Sequence, residues 1–131
     1  MIRPSWQPPG PVFPVVWITM AVLRSLSTVL VWKVTGNLLA LPIVLFVAHL
    51  SIGDTWNYVN NVEKRRGTAV AGVACVWASA VMVCRCYFGV SIQAGWTIFP
   101  LCVWLTIASA LIYSIWDLNG RAEIIPTKQA V

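Results

Sequence analysis

Three ionisable side chains, Arg24, His49 and Asp54, stand inside stretches that are otherwise apolar. A charge at membrane depth is costly, so such residues face a bundle interior, a water-lined cavity or one another. Arg24 shares a helical stripe with Trp17, Ala21, Thr28 and Val31. There it is a cavity-facing cation able to meet a ligand carboxylate, a structural partner of Asp54, or a side chain snorkelling to a headgroup. His49 is the chain's one histidine, which excludes bis-histidine haem ligation and leaves a sole axial ligand or a hydrogen-bonded packing residue. Asp54 lies about 140° from it around a common helix, so no Ser–His–Asp or Cys–His set is supported. Asp117 and Glu123 fall at or beyond a helix end, which leaves no paired carboxylates for acid–base work. Cys75, Cys84, Cys86 and Cys102 form neither a C-x-x-C nor a zinc spacing and read as small packing residues.

The aromatic residues offer a different chemistry, the binding of a flat apolar molecule. His49, Gly53, Trp56 and Asn60 form one stripe of a helix, with Asp54, Asn57, Tyr58 and Asn61 beside it. Near the C-terminus Pro100, Trp104, Ala108, Leu111 and Ile115 recur at helical spacing. A small residue between a tryptophan and a leucine leaves a depression suited to a flat ligand or a neighbouring helix. The opening stretch RPSWQPPGPVFPVVW holds five prolines and two tryptophans between Arg3 and Trp17. Proline fixes φ and removes donors, so this stretch can hold a defined path without regular hydrogen bonds. Trp6 anchors it at an interface, and Pro14 is tolerated in the first turn of the helix that follows.

The elements that must position these residues are membrane helices. The 131 residues are 59% hydrophobic and 10% charged, with eight tryptophans and a mean hydropathy of +0.78. Soluble domains carry about 25% charged residues, so a single integral membrane domain over 1–131 is expected. Apolar segments run over about 13–32, 38–60, 68–88 and 94–118, each near the ~20 residues that cross a bilayer core. Residues 1–12 precede them as a lid-like loop, and 119–131 follow as a polar tail. Arg3, Lys64, Arg65, Arg66, Arg121 and Lys128 fall on one side, which places both termini on the cytoplasmic or equivalent organellar face. The net charge of +5 therefore expresses topology, with no separate basic surface for nucleic acid. The prolines near the start and the lack of a small-residue cleavage site argue against a signal peptide.

The sequence resembles the TspO/translocator proteins, also known as tryptophan-rich sensory proteins or peripheral benzodiazepine receptors. RPSWQPP, then Trp17, then LVWK at Leu30–Lys33 is similar to the family's K/R-P-S-W-x-P-P loop and the helix after it. Trp56 stands at the tryptophan of an L-N-x-x-W motif, and PLCVWLTIASALIYSIWDLN is similar to the family's last helix. Gly53, Leu101, Ile112 and Ala21 replace polar or tyrosine residues of those motifs. The resemblance implies an all-α membrane protein, a four-helix bundle corresponding to helices 2–5 of the five-helix fold and lacking the first. It implies binding of tetrapyrroles such as protoporphyrin or haem, or of sterols, in transport, stress signalling or a receptor role, with no cofactor required. Residue by residue it assigns Phe13, Pro14, Trp17, Trp56, Trp104, Ala108 and Leu111 to a pocket, with Arg24 able to meet a propionate. Trp6, Pro8 and Pro9 fall in its lid. Either the sequence is an N-terminally shortened form of the fold, or a homodimer or lipid closes the wall of the missing helix. A sterol pattern ending the last helix is not satisfied after Tyr113, although a reversed one exists at Arg85–Tyr87–Val90. Two other classes stay open: a proton-coupled multidrug-type exporter relying on Asp54, and an enzyme breaking down porphyrin in light through Trp17 or Trp104.

Overall fold

The computed structural model describes residues 3–61 and 66–121, less the side chain of Arg66, and places four helices there with no strand. They are α1 (Val12–Thr35), α2 (Leu41–Asn61), α3 (Arg66–Val90) and α4 (Ile92–Leu118). The expected basic cluster at Lys64–Arg66, together with Glu123 and Lys128, lies outside the described side chains.

Local chemistry explains where each helix starts and stops. Pro11 caps α1 with φ −63°, and Pro14 falls in the first turn, where its missing N–H would have had no intrahelical partner. Gly36 ends α1 at φ 65°, and its N–H reaches the Trp32 carbonyl at 2.7 Å. That left-handed geometry favours glycine. Asn37 Oδ1 then accepts from the Leu39 N–H at 2.9 Å. This side-chain turn delays α2 to Leu41, past the Leu38 start that hydropathy predicts. Between α3 and α4 the only intervening residue is Ser91, extended, its side chain accepting from the Ala94 N–H. Beyond α4, the exposed Arg121 side chain donates to Asp117. This hydrogen bond, with the Asp117 charge, raises its guanidinium further above the ordinary value.

Helices α3 and α4 form the most extensive pair, followed by α2 with α3 and α1 with α4. Helix α1 meets α2 and α3 only sparsely, so the order around the bundle is α1–α4–α3–α2, with a loosely joined flank between first and last. Tyr87 of α3 and Ile98, Leu101 and Leu105 of α4 are almost wholly buried. On α1, by contrast, Val15, Ile18, Val22 and Leu26 point away from the bundle. So much outward apolar surface belongs to a helix solvated by lipid.

Among the described residues, three helices are long and apolar enough to cross a membrane: α1, residues 67–90 of α3, and α4. The expected fourth, α2, has 21 residues, enough for a span, but falls outside that set. From its middle onward it carries His49, Asp54, Asn57, Asn60 and Asn61, because these positions border interior cavities rather than lipid alone.

Candidate functional site

The inward stripe of α4 builds one wall of the main cavity. Trp104, Ala108, Leu111 and Ile115 all line it, and the small Ala108 gives the depression its depth. Helix α1 contributes Phe13 and Trp17, which meet Trp104 edge-to-face at centroid distances of 5.9 and 6.1 Å. Helix α2 contributes Trp56 and, toward one end, Asn57, Asn60 and Asn61. Arg3, Gln7 and Gly10 of the N-terminal stretch complete the enclosure. The resulting space of about 430 Å³ has an aromatic body and a polar end. That size lies within the roughly 300–1,000 Å³ of small-molecule sites.

A smaller chamber of about 100 Å³ adjoins it and shares Trp17, Trp56 and Asn57. Arg24, His49 and Asp54 all border this chamber. Arg24 therefore borders a cavity that Asp54 of another helix also borders, with no ion pair between the two. His49 and Asp54 both border the chamber although they lie about 140° apart around α2. They do not act as a relay. His49 Nδ1 lies 2.7 Å from Ser79 Oγ, and Ser79 donates its own proton to the Val76 carbonyl at 2.8 Å. Ser79 must then accept from His49 Nδ1–H, which fixes the tautomer and leaves the serine hydroxyl unavailable as a nucleophile. Ser79→Ala would strand that N–H on a side chain only 2% exposed. We expect a loss of about 1–3 kcal/mol in thermal unfolding, and an unchanged midpoint would refute the bond's structural role.

Trp56 is the wall common to both interior spaces and to an apolar groove of about 520 Å³ on the outer face of α2 and α3. Its indole donates to the Ala69 carbonyl at 3.1 Å and lies on Gly72. Ser51 and Thr55 also line the groove, but their hydroxyls are bonded to carbonyls of their own helix. The groove thus presents hydrocarbon to hydrocarbon, as a lipid-facing surface should.

Of the residues expected at the pocket, Phe13, Trp17, Trp56, Trp104, Ala108 and Leu111 converge on the main cavity, and Arg24 on the chamber beside it. Pro14 does not line either and is exposed. Of the lid, Trp6 is 49% exposed, Pro9 is exposed and Pro8 half-buried, and none of them lines the cavity. The backbone turn from Pro4 to Gln7 directs Gln7 inward in their place. Gln7 and Arg3 carried no signal as cavity residues, since a loop side chain has no periodicity to betray its direction; Asn57 belongs to the polar stripe that periodicity marks on α2. The reversed sterol pattern fails on geometry. Tyr87 is buried and donates to Thr28 Oγ1 at 2.9 Å, so it presents nothing to lipid. The described cysteines are all free, and Cys84 and Cys102 are buried as packing residues. No group of metal-ligating side chains occurs among the described residues.

Apolar helices around an aromatic interior cavity with a polar end define a helical membrane protein built to hold a ligand. The chain belongs to the TspO/MBR family, whose model matches residues 1–117. It is similar to the tryptophan-rich sensory protein of Cereibacter sphaeroides, with 31% identity over 117 residues, 89% of this chain and 73% of the relative. Similarity extends to protein CrtK of Rhodobacter capsulatus, 28% identical over 119 residues, covering 89% and 74% of the two chains. The translocator protein of Homo sapiens is 27% identical over 120 residues, covering 89% and 71%. Membership supports a membrane ligand-binding or transport role.

Proposed function

We propose that this chain is a membrane-embedded binding protein for planar hydrophobic ligands, tetrapyrroles such as protoporphyrin or haem foremost, serving their transport or a stress signal. The observation that carries this reading is the aromatic body of the main cavity, where Phe13, Trp17, Trp56 and Trp104 meet. Indole faces and edges favour offset or edge contacts with a π-system at about 4.5–7 Å between centroids. The Arg24 chamber beside it suits a carboxylate carried on the edge of such a ring, in a site where water screens little. Sterols are the weaker branch, since they lack both the π-face and the carboxylate. In the same reading α1–α4 are the second to fifth helices of the five-helix fold, with α2 completing a fourth span. The loosely joined flank between α1 and α2 is then the wall that a second copy, in a homodimer, helps to close.

Titrating the protein in nanodiscs with protoporphyrin should quench tryptophan emission saturably and shift the Soret band. Trp17→Ala should weaken binding about tenfold, as expected for losing one stacked aromatic contact. Unaltered emission and Soret position at micromolar ligand would sink the reading.

A further inference from the structure

Among the described residues, two buried side-chain polar atoms have no hydrogen-bond partner: Trp104 Nε1 and Gln7 Oε1. They come from different parts of the chain, α4 and the N-terminal stretch, yet both residues line the main cavity. Buried polar groups are nearly always paired, so two orphans bordering one cavity call for a common explanation. Two other indoles mark the contrast. The Trp56 N–H is taken by the Ala69 carbonyl and the Trp77 N–H by Thr106 Oγ1, while the donor of Trp104, 9% exposed in the aromatic wall, meets no acceptor.

We infer that the cavity selects ligands carrying a hydrogen-bond acceptor on the edge that meets Trp104 and a donor on the edge that meets Gln7. This rests on the reading of the cavity as a site for flat ligands. Both atoms are already closed to water, so a flat hydrocarbon leaves them unpaired and gains nothing from them. A ring bearing a carbonyl or pyridine-type nitrogen at one edge and an N–H or O–H at another satisfies both. Apolar area then supplies affinity for flat molecules in general, and the two orphans discriminate among them.

Three tricyclic probes of nearly equal shape isolate the effect: acridone has a carbonyl and a ring N–H, xanthone replaces that N–H by oxygen, and anthracene has neither. Their affinities are read by quenching of tryptophan emission in nanodiscs, corrected for partition into nanodiscs without protein. Acridone should bind at least about tenfold more tightly than anthracene, the discrimination expected when a buried group is otherwise left unpaired. Xanthone should bind more weakly than acridone, because its ring oxygen sets a lone pair against the Gln7 amide oxygen. Trp104→Phe, which removes the N–H, should bring the acridone-to-anthracene ratio toward one, whatever happens to affinity overall. Equal binding of acridone and anthracene by the unaltered protein overturns the inference and leaves the cavity reading intact; it would mean that the face of Trp17, perpendicular to Trp104, already satisfies the donor. Xanthone binding as well as acridone overturns the Gln7 half. Failure of all three to bind overturns both the inference and the cavity reading.

Discussion

Replacing Trp56 by alanine should lower the stability of the bundle by about 3 kcal/mol, the low end of the cost of emptying a large aromatic from a packed site. The indole is 7% exposed, donates to the Ala69 carbonyl at 3.1 Å, and fills the space over Gly72. Lipid can wet the outer groove, but the hole left by the ring opens inward, where neither α1 nor α4 can collapse onto it without disturbing the cavity. The substitution also removes the partition between groove and interior. Thermal unfolding in detergent measures the first effect; a spin-labelled acyl chain that newly quenches Trp17 and Trp104 emission measures the second. Trp56→Phe is the control, since it keeps most of the partition while losing the hydrogen bond, at about 1 kcal/mol. A Trp56→Ala protein melting with the unaltered one would show that the ring's packing adds little.

Gly95→Ala is the second large effect, and it acts in the opposite sense, by overfilling. A Cβ built at Gly95 comes within 2.3 Å of Phe88 Cγ and 2.4 Å of its Cδ1. These atoms lie at the root of the ring rather than its tip, and the ring is held edge-to-face against Trp96 at 5.3 Å. Relief requires α3 and α4 to separate just after their one-residue connection, where the backbone has least freedom. Overpacking of this kind costs about 1–3 kcal/mol or more. The double variant Gly95→Ala with Phe88→Ala should recover part of the loss, because the two positions share one volume and cannot behave additively. Additive losses in the double variant would show that Phe88 is not what the methyl meets.

Most of the helical architecture and the aromatic face of the site were legible without coordinates. Helical periodicity carries direction, so Trp104, Ala108, Leu111 and Ile115 could be placed on one wall, and His49, Trp56 and Asn60 turned inward, from spacing alone. The same reasoning gives no direction to residues without periodicity. A motif assigns Trp6, Pro8 and Pro9 to a lid and Pro14 to the pocket, yet none of the four lines the cavity, whereas their neighbours Arg3 and Gln7 do. Angular separation on one helix argued against a relay between His49 and Asp54, and His49 pairs with Ser79 instead, although one chamber borders both.

By itself the sequence determined that this is a helical membrane protein, where its helices fall, and which stripes are aromatic, since transfer of apolar side chains and the 3.6-residue turn are local in the chain. Tertiary structure alone decided which stripes meet. The order α1–α4–α3–α2 brings Phe13 and Trp17 against Trp104, sets Arg24 across a chamber from Asp54, and pairs His49 with Ser79. Those contacts join residues far apart in sequence, and their partners are chosen by how whole helices pack, with Gly72 and Gly95 providing the close approaches. The unpaired donor of Trp104 is likewise a tertiary outcome, because a hydrogen bond left unmade depends on every group that packs around it.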